Sequence, residues 1–503
     1  MRKILLSLLL ASLIFTCGFT KDLESKAINA NKKLILNPYD GYSIELPKDA
    51  KASVNENYYK TNIDYGNTNI KIYMQDISKK LSYQEYRNYS LLGIKNNQND
   101  HKITGEQAIK VNGKEGYKIS YERRKLSKIE NDKNYYQAIF LKVSDSNCLS
   151  FIVKSSEPIK DQEILNIVKT YKPIKKKTQA INKVENFNIY ENESLVSKRD
   201  ISDESKKVYV DTFLTEGTKW GVFVNSFWNN VYEQNFSNHI GYNFKYMILY
   251  HDFNQPNYNI SMALDYCKNR NKYLELTFQT NMKDGKNETY DLLDGKYEDI
   301  IRDMAKKVAE KKHTTIFRIA NEMNGDWCAY SCYNTGLDAD IYLAMYDYIY
   351  NIFEEEGANK YILYVFNPNG RNFPNFKYND ESVYRPDSQR YDLLGLTLYN
   401  TGNYYEGEKW ESFEELYDDL YKRSLDNYDK PFMITEFACS TIGGDKTSWV
   451  KDMFEKMPKY PRIKLAIWFS GVDLDKDNNP ARTYKIDDPK EILDIFKLYL
   501  QGK

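Results

Sequence analysis

Two glutamates are placed to do chemistry. Glu322 follows the apolar run Thr315–Ala320 in FRIANEMNGDW, and Glu436 follows Phe432–Thr435 in PFMITEFACS. Most glutamates are surface charge, but a glutamate that closes a buried strand aims its carboxyl at whatever lies beyond the strand end. Two carboxyls facing one bond, one protonated and one ionised, are what glycosidic hydrolysis requires. The four histidines, His101, His239, His251 and His313, are far apart and lack metal-ligand spacing, so neither a metal nor a cofactor is expected. Of the cysteines after residue 17, Cys328 and Cys332 are close enough to pair, although spacing alone does not decide it.

The elements that must position the two glutamates read as strands and helices in alternation. Eight short apolar runs begin at Trp220, Tyr246, Tyr273, Thr315, Tyr361, Leu393, Phe432 and Ile463. Continuous apolar runs suit strands covered on both faces of a parallel sheet. Helix signals lie between them. Ile341, Met345, Tyr348 and Ile352 recur at helical spacing, Ser412 and Glu415 form a capping box, and Pro489 stands in the first turn of a last helix. Eight such units predict an α/β fold, a (β/α)8 barrel with its site at the C-terminal strand ends, preceded by an α+β domain. The runs ending at Glu322 and Glu436 are the fourth and seventh.

With these residues in place, residues 211–503 resemble a clan A glycoside hydrolase, and in detail glycoside hydrolase family 26, which includes β-mannanases and some β-glucanases. Arg318 to Trp327 resembles the family's acid/base segment, Lys430 to Trp449 its nucleophile region, and Leu393 to Asn400 its sixth strand. One position departs: Asn321 stands where the family has histidine, which leaves mannan and cellulose-like β-glucan both open. The resemblance implies Glu322 as acid/base and Glu436 as nucleophile, about 5–5.5 Å apart in a retaining enzyme. It implies substrate-binding roles for Asn321, as a donor to the sugar 2-hydroxyl or else a strand-end cap, and for His251, near the bound sugar or else satisfied by loop backbone. It implies a sugar-stacking ring in Trp468, with a buried core tryptophan as the alternative, and another subsite in Trp327. Tyr399 is either a donor to Glu436 or a packing residue, and Arg318 is either an electrostatic partner of Glu436 or part of a structural ion pair. The activity implied is an endo-β-1,4-glycanase; a barrel that binds glycan without cutting it, or one that trims the cell's own exported polysaccharide, are the alternatives.

The remainder is read more coarsely. Arg2, Lys3 and the apolar run Ile4–Phe15 before Cys17 resemble an export signal of lipoprotein type, so residues 1–17 are expected to be a signal and Cys17 a lipid anchor. That predicts an exported, membrane-tethered protein. Residues 38–174 alternate as an α+β accessory domain without catalytic groups, a candidate for docking to an envelope partner and expected to be removable. Residues 175–210 read as a charged linker. The chain balances 71 basic against 71 acidic residues, which excludes the basic excess of a nucleic-acid binder.

Overall fold

The computed structural model describes residues 21–501 except 56, 58, 78–80, 178–198 and 230. The export segment with Cys17, and most of the expected linker, lie outside the described residues.

Eight parallel strands close into a barrel. They are β1 Lys219–Phe223, β2 Tyr246–His251, β3 Tyr273–Phe278, β4 Thr315–Ile319, β5 Ile362–Phe366, β6 Leu393–Thr397, β7 Phe432–Phe437 and β8 Ile463–Phe469. Each coincides with one apolar run, because its residues are buried on both faces. Ile248, Ile316, Met433, Leu465 and Ile467 fill the interior, while their strand neighbours Met247, Phe317, Ile434 and Ala466 pack outward against the surrounding helices. The helix Asp340–Glu355 and the capping box of Ser412 and Glu415 are present. The last helix starts at Glu491, so Pro489 precedes its first turn; the Pro489 carbonyl accepts from the Ile492 amide at 3.2 Å in a tighter turn.

The expected start of the barrel domain at residue 211 is corrected. The helix Asp203–Phe213 opens on Ser202, whose side chain accepts from the Ser205 amide. Its Tyr209 and Phe213 are buried with Tyr246, Leu363 and Leu465 of the barrel. The segment is amphipathic, and its apolar side belongs to the barrel core.

The N-terminal domain begins earlier than residue 38. Strands Glu24–Ala27 and Lys32–Asn37 join Tyr42–Pro47 and Lys172–Pro173 in a four-stranded sheet. An eight-stranded sheet lies against it. Side chains alternate across that sheet. Ile139 and Leu141 pack toward the four-stranded sheet and the helix Asp161–Val168. Ala138 and Phe140 share one continuous core with the helix Tyr83–Asn96 and the barrel.

The expected removable accessory domain therefore shares buried core with the barrel. The loop after β4 is gripped by the sheet. Lys71 Nζ lies 2.7 Å from Asp338 and 2.6 Å from Asp340, and Lys154 Nζ lies 2.8 and 2.6 Å from the same two carboxylates. Tyr136 donates to Asp338 at 2.8 Å and Tyr121 donates to the Gly336 carbonyl at 2.6 Å. Asp338 is fully buried, and its two lysine partners hold its carboxyl down to about 2 against the cost of burial.

Candidate active site

β4 carries the first half of the site. Its alternation turns Ile316 and Arg318 into the barrel, and it ends at Ile319. Ala320 and Glu322 then adopt left-handed backbone, with φ of 60° and 52°. For a residue with a Cβ this costs roughly 1–2 kcal/mol, and such strain gathers where a side chain must be aimed. The Glu322 amide donates to the Asn367 carbonyl at 2.7 Å. Asn324 fastens the same loop to the one after β5, donating to the Asn369 carbonyl at 2.9 Å and accepting from the Asn369 amide at 2.7 Å. Glu322 thus enters the barrel mouth through a tied turn and not through continued strand alternation.

β7 brings the second carboxyl by another device. Met433 points inward and Ile434 outward, so strict alternation would send Glu436 outward. The pairing with β8 shifts register between Ile434 and Phe437, and that with β6 between Leu396 and Thr397. The irregularity re-aims the strand end, as bulges beside active sites do. Glu436 faces the mouth while Phe437 packs outward.

The two carboxyls meet at one amide. Asn321 Nδ2 lies 3.4 Å from Glu322 Oε2 and 3.4 Å from Glu436 Oε1, and Gln279 orients it by donating to Asn321 Oδ1 at 2.6 Å. Asn369 donates to Glu322 Oε1 at 2.5 Å. Arg318 Nη2 lies 3.3 Å from Glu436 Oε2. Arg318 is wholly buried; it also donates to Thr277 and Asn367 at 2.8 Å and pairs with Glu275 of β3 at 2.5 Å.

Burial sets the protonation. It raises the Glu322 carboxyl, with Asn369, Arg318 and Trp327 pulling the other way. It raises Glu436 to about 8, and the charge of Asp473 adds to that. Glu275 is pushed up to about 7 by burial against the pull of Arg318. Among the described residues, Arg318 is the one cation within ion-pair distance of either mouth glutamate, at Glu436, while its charge also pulls the Glu322 carboxyl down.

The mouth opens into a cleft of about 900 Å³ lined by Asn321, Glu322, Trp327, Tyr399 and Glu436. Trp327 is 53% exposed and stands 5.3 Å from the ring of Phe373. A Cβ on Gly325 would fall 2.5 Å from the Trp327 indole, so glycine there is what lets the ring lie across its own loop. Tyr399 lines the cleft but makes no hydrogen bond to Glu436; its ring packs on Phe469 and Tyr484.

Two expectations are corrected. Trp468 is 0% exposed, donates to the Tyr484 carbonyl at 2.9 Å, and packs on Phe437 and Phe496. Strand parity turns it outward, and its neighbour Phe469 lines the cleft instead, stacked on Phe223 at 4.6 Å. His251 is buried outside the cleft lining and bonds Asn257 at 2.8 Å. Burial holds its imidazole below the usual value, while Tyr250 beside it reaches the cleft. Cys328 and Cys332 are unpaired and buried. Glu275, Asn369 and Gln279 are site residues the sequence reading passed over, although a charged residue inside the run YLELTF is a visible signal.

No family model matches the sequence. A curated relative, endoglucanase H of Acetivibrio thermocellus, is 29% identical over 185 residues, covering 36% of this chain. The chain matches only 20% of that protein's length. Among solved structures, the catalytic domain of a family 26 endo-β-1,4-mannanase from Bacillus sp. JAMB-750 is 18% identical, covering 60% of this chain and 90% of its own, with a TM-score of 0.44. A modular endo-β-1,4-mannanase from Cellulomonas fimi is 15% identical, covering 60% and 74%, with a TM-score of 0.45.

Proposed function

We propose that the protein is a retaining endo-β-glycanase acting on a β-1,4-linked polysaccharide, either β-mannan or a cellulose-like β-glucan. The observation that carries this is the convergence of Glu322 and Glu436 on the Asn321 amide at the floor of an open cleft. One nitrogen 3.4 Å from both oxygens holds them no farther apart than twice that distance. This admits the retaining separation of about 5–5.5 Å and falls below most of the inverting range of about 6.5–9.5 Å. The sequence similarity to an endoglucanase and the motif resemblance to family 26 support the same reading.

In the first step a carboxylate oxygen of Glu436 bonds to the anomeric carbon as the bond to the leaving oxygen breaks, and Glu322 gives that oxygen its proton. Glu322, now ionised, takes a proton from water; the hydroxyl bonds to the anomeric carbon and Glu436 is released as carboxylate. Asn321 donates to the sugar 2-hydroxyl, and Trp327 and Phe469 offer flat rings to its faces. Export and tethering through Cys17 complete the proposal, placing the cleft where it meets polymer outside the cell, with the N-terminal domain free to dock an envelope partner.

The experiment uses an aryl β-glycoside with azide. Glu322→Ala should form the glycosyl intermediate and yield β-azide, while Glu436→Ala should yield only α-azide. Loss of a positioned acid slows natural substrate by about 10²–10⁴-fold. The opposite anomers reverse the roles; unchanged activity in both variants ends the proposal.

A further inference from the structure

The side-chain amide of Asn321 fits its space either way round, but only one orientation suits the two carboxyls. With Nδ2 toward them it lies 3.4 Å from Glu322 Oε2 and 3.4 Å from Glu436 Oε1. Turned over, it would set its oxygen against the Glu436 carboxylate, acceptor against acceptor. The carboxylate therefore fixes the amide, and Asn321 Oδ1 must find its donor on the far side.

Gln279 is that donor. Tyr330 also approaches Oδ1, at 3.4 Å, but it has one hydroxyl proton and gives it to the Asn321 backbone carbonyl at 2.6 Å. Gln279 Nε2 lies 2.6 Å from Asn321 Oδ1. With its own amide reversed, Gln279 would again oppose oxygen to oxygen, so the second amide takes its orientation from the first. The backbone beneath it is anchored too. Gln279 follows β3 directly, its amide donates to the His251 carbonyl at 2.9 Å, and the hydroxyl of the next residue, Thr280, bonds that of Thr289 at 2.7 Å.

Two amides oriented in series leave one polar atom over. Among the described residues none donates to Gln279 Oε1, and the oxygen is not sealed from solvent. The side chain is half-buried and lines the cleft with Tyr250 and Asn321. Water satisfies such an acceptor in the free protein. A polymer that displaces the water must bring a donor of its own, or the acceptor is left unpaired.

Position selects the donor. Asn321 takes the 2-hydroxyl of the sugar under attack, and the ring neighbours of that carbon are C1 and C3. C1 lies between the two carboxyls and carries the bond that breaks. The hydroxyl on C3 is the one left to meet the second amide. A β-1,4-linked chain leaves that hydroxyl free, and it points the same way in mannose and in glucose.

We infer that Gln279 is a substrate-binding residue whose Oε1 accepts the 3-hydroxyl of the sugar held between Asn321 and Glu436. This rests on the glycanase reading and deepens it: the contact asks for a free hydroxyl on C3 and serves mannan and glucan alike.

The test uses dinitrophenyl β-mannobioside and β-cellobioside, each with and without the 3-hydroxyl on the sugar that bears the aryl group. The ratio of kcat/KM for parent over 3-deoxy substrate is measured in wild type and in Gln279→Leu, so that the intrinsic reactivity of the deoxy sugar cancels. The ratio should fall by about tenfold in the variant. An unchanged ratio, with both substrates slowed alike, means that Gln279 acts only by holding Asn321, and overturns the proposal. If Gln279→Leu does not fold, Gln279→Met, which also lacks the amide oxygen, decides alone. Wild-type protein that cleaves neither these glycosides nor soluble mannan nor hydroxyethyl cellulose overturns the glycanase reading, and the contact with it.

Discussion

The guanidinium of Arg318 lies 2.5 Å from the carboxyl of Glu275, and neither side chain reaches solvent. The same guanidinium lies 3.3 Å from Glu436, so one buried positive charge is shared between a group outside the reaction and the proposed nucleophile.

This sharing sets a pH dependence. Glu436 must be ionised to attack, and burial raises it to about 8, so the acid limb of kcat/KM should lie above the ordinary carboxylate range. An ionised Glu275 draws on the same Arg318 guanidinium, so its charge should oppose the Glu436 anion. Glu275→Gln removes a negative charge near Glu436 while keeping side-chain size, which favours the Glu436 anion. The acid limb should therefore move to lower pH, measured as log kcat/KM against pH on a soluble polymer. A limb that stays in place or moves upward contradicts the shared charge.

The two tryptophans should separate cleanly. Trp327→Ala removes an exposed ring from the cleft and should raise KM by roughly tenfold, about 1.4 kcal/mol of binding, with little change in melting temperature. Trp468→Phe loses the bond to the Tyr484 carbonyl, worth about 1 kcal/mol, and should lower the melting temperature while leaving KM near wild type. Steady-state kinetics and thermal melts on the same preparations decide. A raised KM in Trp468→Phe would put that ring back among the sugar contacts.

Asp338→Ala should be among the most destabilising single changes. It leaves Lys71 and Lys154 sharing Asp340 alone, and breaking a buried pair costs up to about 3–5 kcal/mol. A chain starting at residue 199, ahead of the helix Asp203–Phe213, keeps the whole barrel but uncovers the face that meets the sheet. It should precipitate or lose activity. Circular dichroism with an activity assay checks both, and a folded fragment of full activity would show that the β4 loop needs no support from the sheet.

The barrel was legible because strands covered on both faces need apolar residues without interruption, and the glutamates that ended two of those runs were visible for the same reason. Facing was not legible. Trp468 and Phe469 are adjacent, and one step of parity exchanges their roles. Glu436 reaches the mouth only through a register shift that leaves no mark in PFMITEF. Arg318 and Glu322 do converge, but across two left-handed residues that break the strand alternation. In the N-terminal domain the strand Glu24–Ala27 is exposed throughout and His101–Val111 largely so. Strands with so little buried surface carry no apolar signal to read.

The lysine–aspartate cluster also orders the birth of the molecule. Lys154 precedes Asp338 by 184 residues, which at about 5–20 residues per second is on the order of ten to forty seconds of translation. Until Asp338 and Asp340 are in place, burying either lysine would leave its charge uncompensated, at a cost of several kcal/mol. Closing the sheet's barrel-facing side is therefore favourable only together with docking of the loop that bears Glu322.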